Sequence, residues 1–199
     1  MESHKLAVKF FVQNPSGLQT EEFVPVFHRW IQGQVAQDHL LIDVADYGHV
    51  HEGPGAVLVS HEANFHMDLG DGRLGLMYVR KQPIPSPVGT PASLRQRLRA
   101  VFKYALQACA ALEDEPTLGG RVRFRTDEAI FRVHDRLLAP NTPETFDSVK
   151  RDLGAFLQRL YGAPVELEHR SRPETLFEVA IRAPQSPRVA TMLERASTA

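Results

Sequence analysis

Apolar side chains recur along this chain at two periods, and the switch between them marks the elements. Leu6-Ala7-Val8-Lys9-Phe10-Phe11-Val12 is a short apolar run stopped by Asn14-Pro15-Ser16-Gly17, which predicts a strand and a turn. Phe23, Val26, Phe27, Trp30 and Ile31 then repeat at three and four residues, so a helix over 21–34 presents one apolar face, with Pro25 fitting only its first turn. From Leu40 to Lys81 the period shortens to that of strands, over 40–44, 56–59, 64–69 and 74–79. Asp71-Gly72 joins the last two as a hairpin signal, because both central residues of a type I′ turn need positive φ.

Pro83, Pro85 and Pro87 stiffen a connector over 82–89 that leads to Thr90-Pro91, a helix-start signal. Leu94, Leu98, Val101, Phe102, Ala105, Leu106, Cys109 and Leu112 form the stripe of the long helix, placed over 91–114. Residues 122–126 and 129–133 alternate on either side of Asp127-Glu128 and predict a second hairpin. Thr142-Pro143 starts a third helix, which runs to Gly162. Residues 165–169 and 176–181 form a last hairpin about Ser171-Arg172-Pro173-Glu174, and Ser186-Pro187 opens a short C-terminal helix. The class is therefore α+β, with hairpin-rich antiparallel sheet and three main helices on one face. Four consecutive strand runs leave no room for the crossover helices of a parallel sheet. A single domain over 1–199 is expected, with sub-halves 1–82 and 120–199 joined by the proline connector and the long helix. Two stretches, residues 5–60 and 129–182, both read β-α-β-β, the order a duplicated unit would give.

Composition narrows the function only by exclusion. The 199 residues are 43% hydrophobic and 24% charged with a formal net charge of -1, which gives no overall field to attract nucleic acid or anionic lipid. No apolar run approaches a membrane span, and no signal-peptide pattern opens the chain. Cys109 is the single cysteine, so no intrachain disulfide forms, and a cytoplasmic location is expected. Residues 1–90 hold 6 Lys and Arg against 10 Asp and Glu, and seven of the nine histidines lie in the first 66, so the acidic half is the pH-sensitive one.

That histidine region is the sharpest chemical candidate. In a strand, His49 and His51 point to one face, and a neighbouring strand adds His61 or His66, a set suited to zinc or iron. Glu52 and Glu62 are the adjoining candidates for a general base in a metal-dependent hydrolase or oxygenase. The plainer reading makes residues 47–55 a polar loop and expects no cofactor. Gly70-Asp71-Gly72-Arg73-Leu74-Gly75 matches the dinucleotide fingerprint literally, but no helix follows to hold a pyrophosphate. Arg121, Arg123 and Arg125, with Arg132 from the next run, form a basic face able to hold phosphates or an acidic ligand; without interleaved aromatics it lacks the stacking platform of a nucleic-acid surface. His134-Asp135 and Ser60-His61-Glu62 set acids beside imidazoles, yet strand neighbours face opposite ways, so adjacency makes no triad. With no coherent catalytic set, the leading expectation is a non-catalytic binding or assembly protein, engaging a small ligand, a protein partner or itself through a strand edge or the long helix.

Overall fold

The computed structural model describes residues 1–85, 90–171 and 174–198. Eight strands form one antiparallel sheet: β1 (Leu6–Val12), β2 (Leu41–Tyr47), β3 (Gly55–Ser60), β4 (Ala63–Asp68), β5 (Gly75–Arg80), β6 (Phe124–Val133), β7 (Glu166–His169) and β8 (Phe177–Arg182). Their order across the sheet is β2-β3-β4-β5-β1-β6-β8-β7, so the first strand lies at the centre and β2 and β7 are the edges. The helices among these residues are α1 (Phe23–Gly33), α2 (Leu94–Glu113), α3 (Pro143–Tyr161) and α4 (Val189–Thr198). α2 crosses β1 and β5, α1 packs on β2 and β3, α3 on β7, and α4 closes against α2 and α3.

The α+β class and the antiparallel sheet follow the periodicity, and several boundaries follow local chemistry. Thr142 caps α3 by accepting the N–H of Thr145, and Gly162 ends it in the left-handed region at φ 75°. Asp71 and Gly72 take φ of 65° and 66°, as the turn between β4 and β5 needs. The long helix starts later than Thr90-Pro91 suggests: Ser93 accepts the N–H of Gln96, whose side chain accepts the N–H of Ser93 in return. Residues 86–89 of the proline connector and 172–173 of the last turn lie outside the described residues.

The expected hairpin about Asp127-Glu128 is instead one continuous strand, β6. Asp127 is held by Arg125 at 2.7 Å and Glu128 by Arg73 at 2.6 Å, so these turn-forming residues have side-chain partners and the backbone stays extended. β1 and β6 are antiparallel neighbours, flanked by β5 and β8. The pairing thus matches β1 with β6 and β5 with β8, whereas the linear β-α-β-β comparison aligns β3 with β8.

Register sorts the sheet into two faces. Val44, Leu58, Phe65, Tyr78, Val8, Phe131 and Val179 align as one row toward the helices, within the main core. Ala45, Val57, His66, Met77, Lys9, Ile130 and Ala180 align on the opposite face. Lys9 is fully buried there. Its ammonium donates to Asp68 Oδ1 and to the Gly70 carbonyl, with Asp71 Oδ2 at 3.6 Å. Burial pulls the Lys9 pKa down, against the raising effect of Asp68. The pairing continues outward: Arg132 bonds Asp71 at 2.7 Å and Glu178 at 2.6 Å, and Arg170 bonds Glu178 at 2.9 Å. Gly75 makes room for this, since a Cβ there would stand 2.9 Å from Lys9 Cε and 2.5 Å from the Phe10 carbonyl oxygen.

Removing one member of such a pair leaves a buried charge. Asp68→Ala should therefore cost about 3–5 kcal/mol in urea unfolding, and the apolar double replacement Lys9→Met/Asp68→Leu should recover most of that loss. A double variant no more stable than the single one would mean that the network is not what holds this face.

Candidate functional site

The histidines singled out by sequence do not converge. His49 and His51 lie in the turn between β2 and β3 rather than on a strand, and both are exposed with Glu52, whose φ is 52°. His61 is also exposed, 3.3 Å from Glu62. Glu62 accepts the N–H of Leu40 at 2.8 Å and so pins the start of β2. Among the described residues no three His, Cys, Asp or Glu side chains are grouped to hold a metal ion, and the structure does not bring together the zinc or iron set expected from His49, His51, His61 and His66. The spacing that would align two imidazoles on a strand does not do so in a turn.

The arginine face is likewise dispersed. Arg121 pairs with Glu22, Arg123 donates to the Glu113 carbonyl at 2.9 Å, Arg125 engages Asp127 and Glu128, and Arg132 joins Asp71 to Glu178. Ser60 clamps the turn to Ala63 through both its carbonyl and its N–H. Cys109 is fully buried in α2, and burial raises its thiol pKa.

His66 from that set, together with His134 and His39, is strongly perturbed by surroundings that come from far away in sequence. His66 on β4 and His134 after β6 share the sheet face opposite the helices. Both ring nitrogens of His66 and Nε2 of His134 are shut off from solvent without a hydrogen-bond partner. Burial lowers each to about 4, helped by the positive charge of Arg132 at His134.

His39, on the helix side, stands in the connection from α1 to β2 and is 4% exposed. Its ring sits among aromatic edges and faces: Tyr104 at 4.6 Å, Phe65 at 5.2 Å and Tyr78 at 5.7 Å between centroids. His39 Nε2 lies 2.9 Å from the Tyr78 hydroxyl, which also receives Arg80 Nη1 at 3.3 Å, while Nδ1 has no partner. Arg80 is itself fixed by the carbonyls of Gln82 and Pro83. Burial and then Arg80 lower His39 to about 4, so the ring is neutral at pH 7. A cavity of about 210 Å³ opens here, lined by His39, Asp38, Trp30, Phe65, Tyr104 and Gln107 among others.

The same connection leads onto the edge strand β2. Exposed large apolar residues concentrate there: Val35 46%, Leu40 63%, Ile42 57%, Tyr47 43% and Val50 38% exposed, against only Leu137 and Leu138 elsewhere among the described residues. Ile42 stands out because a bulge separates Leu41 from Asp43 in the pairing with β3. Sequence reasoning marked His39 only as one histidine among several. The signal available was an imidazole beside an apolar strand start, and nothing local identifies Tyr78, Arg80 and Tyr104 as its neighbours.

These buried neutral rings set an acid limit. A histidine with folded pKa near 4 and unfolded pKa near 6.5 binds its proton more readily when unfolded, so its contribution is complete above pH 6.5 and declines toward pH 4. Unfolding free energy should therefore fall across that window, by on the order of 3 kcal/mol for His39 alone. His66→Leu should flatten the profile; an unchanged slope in that variant would mean His66 is not buried in its neutral form.

Comparison of the sequence with protein-family models gives no match, and comparison with characterised proteins gives none either.

Proposed function

We propose that the protein is a non-catalytic binding and assembly protein that associates with a second copy of itself through the edge strand β2. The observation that carries this reading is the concentration of exposed apolar side chains in and beside a seven-residue edge strand, Ile42 and Tyr47 within it and Leu40 and Val50 next to it; the Val44 N–H at its middle, held by Asp43 Oδ1 at 2.8 Å, exchanges that partner for the incoming strand. An antiparallel pair about a two-fold axis at Val44 sets Asp43 opposite Ala45, Asp46 opposite Ile42 and Leu41 opposite Tyr47, so no carboxylate directly faces another. Continued past the strand ends, this register brings Gly48 opposite Leu40 and Val50 opposite Asp38. The turn bearing His49 and His51 then approaches the acidic Asp38 of the other copy, and Val50 approaches its exposed Leu40. This gives the His-x-His pair a role in complementarity rather than coordination.

Light scattering during size-exclusion chromatography tests the reading. The wild type is expected to run as a dimer, and Val44→Pro, tolerable on an edge strand, should shift it to monomer with an unchanged far-ultraviolet spectrum. Leu40→Lys/Ile42→Lys should do the same through the apolar contact. A wild type that stays monomeric at high concentration overturns the proposal, as does a dimer that survives both variants.

A further inference from the structure

No lysine or arginine occurs between Arg29 and Arg73, a stretch that holds seven acidic residues. Asp68 and Asp71 are taken up by Lys9 and Arg132 on the far face of the sheet. The other five, Asp38, Asp43, Asp46, Glu52 and Glu62, surround the β2 end, and among the described residues none of them pairs with a lysine or arginine. The cavity of about 210 Å³ lies at this acidic end, between α1, the α1–β2 connection, β4 and α2. Among the described residues that line it, Asp38 alone carries a formal charge, His39 being held neutral by burial and by Arg80, and Asp38 is exposed to solvent. The buried rings of Trp30 and Phe65 and the half-buried ring of Tyr104 line it as well. Trp30 and Phe65 stand at 83° to each other, and His39 stands at 65° to Phe65 and 88° to Tyr104, so the rings make corners rather than a flat stack.

We infer that this cavity is a binding site for a compact organic cation, a methylated ammonium headgroup held by the Asp38 carboxylate and by the aromatic walls of Trp30, Phe65 and Tyr104. Carboxylate and ring quadrupoles act in the same sense, since both attract positive charge. An anion is repelled by Asp38, and a neutral occupant gains nothing from it. A volume below the range of roughly 300–1,000 Å³ for drug-sized ligands admits a headgroup and little more. A bare ammonium brings three N–H donors that each need an acceptor, whereas a quaternary one brings none and places methyl groups against the rings. Two fixed cations stand outside the lining. Arg80 bears on His39 and Tyr104, but Glu62 bears on the same two residues with opposite sign. Lys103 holds its ammonium 5.6 Å from the Tyr104 ring while lining a neighbouring cavity rather than this one. Asp38 is therefore the charge that an occupant touches.

The test compares choline with 3,3-dimethylbutan-1-ol, which has the same outline but carries a carbon where choline has its charged nitrogen. Binding is followed by the shifts of the Trp30 indole and Tyr104 ring signals and by titration calorimetry. Choline should bind about tenfold more tightly than its neutral counterpart. Asp38→Asn, a change at an exposed loop position, should remove most of that preference while 3,3-dimethylbutan-1-ol binds as before. A short peptide carrying trimethyllysine, titrated beside choline, distinguishes the two sources of such a headgroup: tighter binding of the peptide assigns it to a protein chain, tighter binding of choline to a free molecule, and either supports the site. The inference is overturned if neither choline nor the peptide binds, if choline and 3,3-dimethylbutan-1-ol bind alike, or if Asp38→Asn leaves the preference intact. The oligomeric state is read separately by light scattering, so failure here and failure of the edge-strand proposal are distinguishable.

Discussion

Strand β1 has no exposed residue along its whole length, because helices cover one face and the turn after β4 folds over part of the other. Placing a lysine at the middle of that strand makes the arrangement conditional on ion pairing. A buried ammonium without a partner would lose its proton or expel the element that covers it. Lys9 escapes both because Asp68, the Gly70 carbonyl and Asp71 meet it from the β4–β5 connection. The same contacts fix the position of that connection, and Arg132 extends the constraint to β6 and through Glu178 to β8 and Arg170. One chain of alternating charges thereby ties the first half of the sheet to the second across its centre.

The contrast with the helix side is informative. The Lys9 ammonium finds its acceptors, whereas on the helix side His39 Nδ1 has no partner, and on the Lys9 face itself the His66 ring has none either. Buried polar groups in folded proteins are mostly paired, so exceptions carry a stability cost that the rest of the structure sustains. A network closed on itself points to architecture.

Much of the architecture is legible locally. The apolar spacing of Val149, Leu153, Phe156, Leu157 and Leu160 between Thr142 and Gly162 defines α3 without reference to any other part of the chain, and the positive φ demanded at Asp71-Gly72 defines the β4–β5 turn. Reading fails where the deciding partner is remote. Asp127-Glu128 has turn composition, and only Arg125 and Arg73 explain why the strand runs through it. His49-Val50-His51 has metal-ligand spacing, but Glu52 at positive φ belongs to a turn, which scatters the pair. His39 attracts attention only once Tyr78, Arg80 and Tyr104 are seen around it, and those lie 39 to 65 residues further along the chain. Histidine number made the first half look like the titrating one, while the opposite face of the sheet joins His66 to His134 from the second.

The α1–β2 connection brings the remaining pieces together. Residues 35–39 line the cavity, and the very next residues, Leu40 to Ile42, form the exposed start of the edge strand. Two consecutive anchors hold this segment: His39 Nε2 at the Tyr78 hydroxyl, and the Leu40 N–H at Glu62. Cavity lining and strand edge are thus contiguous in the chain, so a change that moved His39 would act directly beside Leu40 and Ile42. Any free energy coupling the two sites is then reciprocal by linkage: whatever strengthens contact at the edge by a given factor strengthens or weakens occupancy of the cavity by that same factor. The rigid relay behind His39 favours a small response, because Tyr78 and Arg80 are fixed from the sheet side and leave the ring little room to turn.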